Sequence, residues 1–293
     1  MPSIVQFLHP GPEHRPNNPP LNNHINWNIG NHRRKFLKSR GYYVSNGNLE
    51  PVPVDLVFWG EWEPPSCVQE LNQNNNPLNP RWLHTPYVPI PIPNHHGLQN
   101  TDPHVFENEF KYLLCQQYRP GNLNLTQLSH LEAGSLILFG SKKTSNNQDL
   151  FLLDTVFVIA EATQYNPFND PLLPPLISDN YFNIVYSKAY ANDPPNLNLN
   201  LYQGATFHNQ FKGMYSFVPA QIYTNGQNHG FPRVSMHNLP LPYSNYINVS
   251  KTQGFKITNG LNINHIINFW NYVLCLSQQH HCVEAVQLNH PNV

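Results

Sequence analysis

Two stretches of sequence decide the fold: residues 135–140, SLILFG, and residues 151–160, FLLDTVFVIA. Both are rich in β-branched and aromatic residues, and the polar loop between them is typical of a β-hairpin. The second stretch is apolar at odd and even positions alike, which indicates a strand buried on both faces. The sequence therefore predicts a β-rich fold with this hairpin at its centre.

The flanking segments predict the rest of the architecture. Residues 54–64, VDLVFWGEWEP, favour a strand that ends at a proline, and residues 263–276 carry apolar side chains at helical spacing. Residues 72–76 and 163–200 are rich in Asn or Pro, as surface loops are. We expect an α+β fold with one domain over residues 1–293. It is built on a small, strongly bent sheet or partly closed barrel, with a C-terminal helix packed on the sheet.

The composition limits the functions that this chain can perform. Charged residues make up 11% of the sequence and the net charge is -1, which argues against holding nucleic acid by bulk charge. The four cysteines are widely spaced and form no C-x-x-C pair, so neither a zinc ribbon nor a disulfide framework is indicated. No leader pattern or long apolar run is present, and we expect a cytoplasmic protein without a membrane partner. No metal site or particular cofactor is predicted.

An aromatic and acidic cluster ends the strand at residues 54–64. In an extended chain Trp59, Glu61 and Glu63 lie on one face, and Trp62 lies on the other. Such a face can stack a base on indole and accept its amino hydrogens on carboxylate, which makes all four residues ligand-binding candidates. The alternative is that the tryptophans anchor the core and the carboxylates are solvated.

A basic patch follows an N-terminal polar segment. Five of the 16 basic residues lie between positions 33 and 40. On a helix, an apolar stripe of this segment would dock while the arginines faced outward and bound phosphate with their bidentate guanidinium groups. The alternative is a solvated face. The phosphate-binding candidates are His32, Arg33, Arg34 and Lys35, and the preceding Trp27 and Asn28 join the ligand-binding candidates.

Two further positions are chemically notable. His9, Glu13 and His14 could form a general acid/base set, although the spacing is not that of a zinc-binding H-E-x-x-H motif and a chance pairing among 16 histidines is easy. Asp154 interrupts an apolar strand, where an ionised carboxylate must be hydrogen-bonded or paired. Its partner could be backbone amides or an arginine such as Arg119, or it could be a functional carboxylate that faces a cavity.

Residues 131–141, LEAGSLILFGS, together with residues 151–160 resemble the L-x-x-G-D-x-I-x-F-G strand pair of the PUA-like superfamily, which includes the EVE, ASCH and nucleotide-modification-associated domains. Ser135 stands where those families often have Asp. The resemblance implies a small β-barrel that binds RNA or modified bases in an aromatic pocket. On that resemblance, Trp59, Trp62 and Asp154 would line the pocket.

Residues 202–206, YQGAT, with Ser216 and Glu284 downstream, are similar to the strands of ADP-ribosyltransferases of the Arg-Ser-Glu class. Gln203 stands where that class has its diagnostic arginine. This resemblance implies an ADP-ribosyl-transfer reaction.

Three hypotheses follow. The first is a nucleotide- or nucleic-acid-binding protein that uses the aromatic and acidic cluster as a pocket and the basic patch for a phosphate. The second is an enzyme acting on a nucleotide or sugar, in a glycosyl- or ADP-ribosyl-transfer type of reaction, with the His9, Glu13 and His14 set as its acid/base residues. The third is an interaction protein that uses the proline-rich residues 86–93 as a docking strip.

Overall fold

The computed structural model describes residues 1–9, 11–14, 23–45, 48–71, 78–93, 97–108, 110–169, 177–190, 194–225 and 230–291. The Asn-rich loop predicted at residues 72–76 lies outside them. The strands in the described part are β1 (Ile4–Leu8), β2 (His24–Ile25), β3 (Lys35–Ser45), β4 (Asn48–Gly60), β5 (Ser66–Glu70), β6 (Trp82–Pro86), β7 (Lys111–Tyr112), β8 (Tyr118–Arg119), β9 (Asn124–Leu125), β10 (Leu136–Ser145), β11 (Gln148–Tyr165), β12 (Leu199–Gly204), β13 (Val218–Ile222), β14 (Val234–Met236), β15 (Gly254–Thr258) and β16 (Val283–Leu288).

The described part of the chain has fewer helices than strands. Short helical turns α1 (Asp179–Tyr181) and α2 (Ser187–Ala189) flank a π-helical segment at Phe182–Tyr186, and α3 (Ile263–Gln279) is the long helix of the described chain. Two 3-10 turns lie at Gln127–His130 and Tyr243–Asn245.

The first sheet is built on the predicted hairpin. Strands β10 and β11 pair in antiparallel register, and the sheet runs in the order β15-β1-β10-β11-β12-β7, with β14 also paired to β11. β11 lies in the interior of this order, so the predictions of a hairpin and of a central second strand are confirmed.

The second sheet partly closes on itself. Its order is β16-β13-β4-β3-β6-β5-β2, and an additional pairing joins β16 to β3. Strands β3, β4, β13 and β16 therefore form a closed circuit of hydrogen-bonded neighbours. The expectation of a β-rich fold is confirmed, and one of its sheets is partly ring-like.

The core has two large apolar clusters, and each takes side chains from both sheets. Along β10, Ile137 and Phe139 belong to one cluster while Leu136 and Leu138 belong to the other, because successive side chains point to opposite faces. Helix α3 covers the second cluster with one apolar side, and it buries Ile266, Phe269, Trp270 and Val273. This helix is followed by β16, which returns the chain to the second sheet.

Two segments differ from the sequence-based expectation. Residues 35–38 belong to strand β3 and form no helix, because Phe36 and Leu37 on opposite faces enter different apolar clusters. The proline-rich residues 86–93 are fixed to the body of the protein: Val88 is buried in the core and Lys188 donates a 2.7 Å hydrogen bond to the Pro93 carbonyl. That attachment counts against a docking strip.

Candidate functional site

A buried ionic network lies where the two sheets meet. His9 follows β1, Arg34 immediately precedes β3, and Glu61 and Glu63 follow the end of β4. Asp154 reaches the network from β11, and Arg233, just before β14, completes it. The hydrogen bond from the His9 backbone N–H to the Gly140 carbonyl, 3.0 Å long, fixes the His9 end against the first sheet.

Glu61 is the centre of this network. One of its carboxylate oxygens lies 2.5 Å from Arg34 Nη2 and 2.9 Å from His9 Nδ1, and the other lies 2.8 Å from His32 Nδ1. Burial alone would raise the pKa of Glu61, but the facing His9, His32 and Arg34 outweigh burial and hold the pKa well below its usual range. Glu61 is therefore an ionised carboxylate in the interior.

Asp154 is presented to the network by a β-bulge. Phe139 pairs with Thr155 while Gly140 pairs with Leu153, so Asp154 is the extra residue of β11 between them. Its two oxygens lie 3.5 Å from Arg34 Nη1 and 3.4 Å from Arg233 Nη1. The unusual carboxylate of this strand is thus paired with two arginines, and Arg119, the partner suggested from sequence, is exposed on β8.

Arg233 contacts residues of both sheets and of the segment after β1. Its guanidinium donates hydrogen bonds to the Ser141 hydroxyl and, over 3.2 Å, to the Gly11 carbonyl, and it lies over the Trp59 ring at 4.9 Å. Sequence reasoning missed this residue. It stands next to a three-residue strand, and no pattern around it distinguishes it from a surface arginine.

His32 lies between the network and the solvent. Its Nδ1 is 2.8 Å from a Glu61 oxygen and 2.9 Å from a Glu63 oxygen, and its side chain is 21% exposed. Burial alone would lower the pKa of His32, but the two carboxylates reverse the effect and raise the pKa to about 10. His32 is therefore an imidazolium at neutral pH. Because Nδ1 faces the carboxylates, Nε2–H is the remaining donor of the ring.

The network uses much of the charge in this charge-poor chain. Three of the 16 Lys and Arg residues and three of the 17 Asp and Glu residues are buried here. They are Arg34, Lys35, Arg233, Glu61, Glu63 and Asp154. Burying ion pairs costs desolvation that apolar residues of equal size would avoid, so such a concentration marks a candidate functional site.

Lys35 connects the network to the histidine pair His14 and His84. Its ammonium group is fully buried and donates to the Trp62 carbonyl, and burial lowers its pKa to about 8 although Glu63 and Glu61 oppose the shift. Burial, Lys35 and Arg33 together lower the pKa of His14 to about 4, and the His14 ring contacts His84 edge-on at 5.9 Å. His14 is therefore a neutral imidazole beside a cation.

The predicted acid/base set is only partly brought together. His9 reaches Glu61, whereas Glu13 accepts hydrogen bonds from the backbone N–H groups of Arg81 and Trp82, at 2.6 and 3.0 Å. His14 lies beside Lys35. The three candidates therefore lie in different surroundings, and Glu13 has a structural contact with the second sheet.

The tryptophans named as pocket candidates lie in the core. Trp62 is fully buried and donates to the Pro65 carbonyl over 2.9 Å, and Trp59 donates to the Phe231 carbonyl over the same distance. Trp27 is buried and donates to the Gln99 carbonyl at 2.8 Å. The half-buried Asn28 donates from its backbone to the Glu63 carbonyl, so the loop that ends at His32 is tied to the network.

The basic patch is divided between interior and surface. Arg34 and Lys35 are buried members of the network, and Arg33, next to His32, is exposed. Of the four phosphate-binding candidates, His32 and Arg33 are thus the two that solvent reaches.

His32, Glu61 and Glu63 also meet the distance condition for a metal site, since one ligand atom of each lies within 4.8 Å of the others. A metal ligand must be a deprotonated imidazole, however, and His32 has its pKa raised to about 10. Arg34 and Lys35 already supply positive charge to the two carboxylates. A metal ion at this set would therefore have to displace the proton of His32.

Comparison of the chain with models of protein families, with curated proteins and with solved structures finds no match. Among the described residues, no helix is long and apolar enough to cross a membrane.

Proposed function

We propose that the protein binds the phosphate group of a nucleotide-class ligand at His32 and Arg33. The observation that carries the proposal is the imidazole of His32, whose Nδ1 is held by Glu61 and Glu63 at 2.8 and 2.9 Å while its side chain stays 21% exposed. A carboxylate behind an imidazole fixes the ring orientation and stabilises its charged form. The remaining N–H is then an oriented, permanently charged donor.

The electrostatics favour anion binding over proton transfer. A general base works best with a pKa near the operating pH, and His32, with a pKa raised to about 10, keeps its proton at neutral pH. Glu61 has a pKa well below its usual range and keeps its negative charge. Neither group exchanges a proton readily at neutral pH, whereas a fixed cation attracts an anion at every pH below about 10.

Arg33, the exposed residue next to His32 in sequence, is the second cationic contact of this proposal, because its guanidinium can donate two parallel hydrogen bonds to phosphate oxygens. Two cations suit one phosphate group. A nucleic-acid backbone needs an extended row of such contacts, and a chain of net charge -1 with one local patch favours a mononucleotide. Membership of the PUA-like superfamily remains part of this proposal.

The test is calorimetric titration of the full chain with AMP, inorganic phosphate and a short single-stranded RNA between pH 7.5 and 10.5. We expect AMP to bind with little change up to pH 9 and to lose affinity near pH 10, where His32 loses its proton. The sign follows from the raised pKa, since the cationic form exists below it. Glu63→Gln removes one of the two supporting carboxylates, so the loss of affinity should move to a lower pH.

Arg33→Gln should weaken AMP binding about 10-fold or more, because a charge-assisted hydrogen bond to phosphate is lost. Arg40→Gln removes an equally exposed basic residue of the same segment and serves as the matched control. Equal effects of both changes, or an unchanged pH profile in Glu63→Gln, would refute the proposal. Tight RNA binding with a steep salt dependence would replace the mononucleotide by a nucleic acid.

An enzyme remains the second candidate, and of its acid/base set only His9 comes close to Glu61, at 2.9 Å, whereas Glu13 and His14 lie in other surroundings. Chromatography of the same AMP mixtures after incubation measures turnover directly. The ADP-ribosyltransferase resemblance gains no support from the arrangement, since Gln203 lies on β12 of the first sheet and Glu284 on β16 of the second.

A further inference from the structure

A second cluster of histidines lies outside the ionic network, around the antiparallel bridge between His104 and Lys111. His104 and Lys111 exchange backbone hydrogen bonds of 2.8 and 2.9 Å, and Glu107 stands at the turn between them. Glu107 has a φ of +75°, a left-handed conformation that is unusual for a residue with a side chain. Such conformations recur where a side chain must be aimed at a site.

The chain after β16 brings a third residue to this cluster. The Glu107 backbone N–H donates to the Leu288 carbonyl over 2.7 Å, which holds the end of β16 against the turn. Two residues later, His290 places its ring 6.0 Å from that of His104. The site therefore joins residues that are far apart in sequence, and for that reason no motif predicts it.

Three of the four ring nitrogens in this cluster lack a hydrogen-bond partner among the described residues, and the fourth, His290 Nδ1, donates to the Pro291 carbonyl over 2.9 Å. His104 is fully buried, and neither of its ring nitrogens has a hydrogen-bond partner among the described residues. His290 Nε2 is buried without a partner as well, and so is the hydroxyl of Tyr181, whose ring meets His104 edge-on at 5.2 Å. Buried polar groups are almost always satisfied, so these nitrogens indicate a ligand or an ordered water.

We propose that His104, Glu107 and His290 bind a divalent transition-metal ion of the Zn²⁺ class. One ligand atom of each residue lies within 4.8 Å of the other two, as three positions around one ion require. Two imidazoles and one carboxylate form a set that binds zinc and leaves a coordination position open. The proposal concerns a site separate from the phosphate contact at His32.

The Glu107 carboxylate already has two contacts, with which a metal ion would compete. Ser178 donates a hydrogen bond to one oxygen, which orients the group as an outer-shell partner does. The ammonium of Lys111 lies 3.8 Å from the other oxygen. A metal ion must therefore compete with Lys111 for Glu107, so Lys111→Met should strengthen metal binding.

The experiment is calorimetric titration of the chelator-treated full chain with Zn²⁺, with Co²⁺ absorption as a second readout of coordination. We expect one ion per chain at this site. Each of His104→Gln, Glu107→Gln and His290→Gln should weaken the affinity by about 100-fold or more, and Lys111→Met should increase it. His265→Gln, an exposed histidine on α3, is the matched control and should change nothing.

Folding is checked separately by circular dichroism and by thermal unfolding without metal. Glu107→Gln keeps the size of the side chain, so the proposal can be tested even where His104→Gln fails to fold. Absence of Zn²⁺ binding would assign the unpartnered nitrogens to water and overturn the proposal. Zn²⁺ binding that survives the Glu107 and His290 changes would place the ion elsewhere and overturn it equally.

Discussion

Glu61 is the common partner of three side chains, because Arg34, His9 and His32 all face its carboxylate within 2.9 Å. Glu61→Gln leaves the buried Arg34 guanidinium and the protonated His32 without their common counter-charge. We expect the free energy of unfolding to fall by about 3–5 kcal/mol, the range for breaking one side of a buried pair. Urea unfolding at pH 7 measures the change.

The control for this prediction is an exposed pair of the same chemistry. Glu70 and Arg81 lie 3.0 Å apart, and their side chains are 57% and 47% exposed. Water screens such a pair, so Glu70→Gln should cost less than about 1 kcal/mol. Similar costs for Glu61→Gln and Glu70→Gln would mean that the network is not energetically coupled.

At the residue scale, sequence reasoning identified the unusual residues without identifying their partners. Asp154 stood out because an ionised carboxylate is costly within an apolar strand, and Glu61 and Glu63 stood out because they share one face with Trp59. Arg34 was predicted to face outward, and the structure buries it between Glu61 and Asp154. That pairing depends on which strands become neighbours, and the spacing of residues along one chain carries no such information.

At the scale of the strand, the bulge at Asp154 depends on Gly140 opposite it. A Cβ added at Gly140 would lie 2.2 Å from the Leu152 carbonyl oxygen and 2.8 Å from the Phe151 ring. The nearest atom belongs to backbone, so the paired strands would have to separate. We expect Gly140→Ala to lower the free energy of unfolding by about 1–3 kcal/mol, the range for overpacking a core.

Gly121 offers the comparison, since a Cβ there meets nothing within 4 Å. Gly121→Ala should stay within about 0.5 kcal/mol of the parent chain in the same urea measurement. If Gly140→Ala were equally neutral, the close approach of β10 and β11 would not be what shapes the bulge.

Strands and helices were more predictable than the pairings between residues, because the pattern that predicts an element lies within one continuous segment. The hairpin of β10 and β11 and the helical spacing at residues 263–276 are properties of continuous segments, which periodicity captures. The bulge is a property of the register between two strands, and a single extra residue leaves no trace in the hydrophobic pattern. The circuit that joins β16 to β3 escapes prediction because its pairing spans nearly the whole chain.

At the scale of the molecule, the apolar clusters and the ionic network join the same two sheets. Both clusters take residues from each sheet, and the Arg34–Asp154 contact links the segment before β3 to β11. Neither sheet can lose its partner without exposing apolar surface and separating buried charges. The sequence predicts a single domain, and a single domain held together in this way should unfold cooperatively.

We expect residues 1–293 to unfold in one cooperative transition, although chains of this length often populate intermediates. Far-UV circular dichroism follows both sheets. In a Trp270→Phe variant, the remaining tryptophans all lie in or beside the second sheet, so tryptophan fluorescence follows that sheet. The urea midpoints from ellipticity and from the fluorescence of that variant should coincide, because the shared clusters make the loss of one sheet the loss of the other. Separate midpoints would divide the chain into two units, with the ionic network as an interface between them.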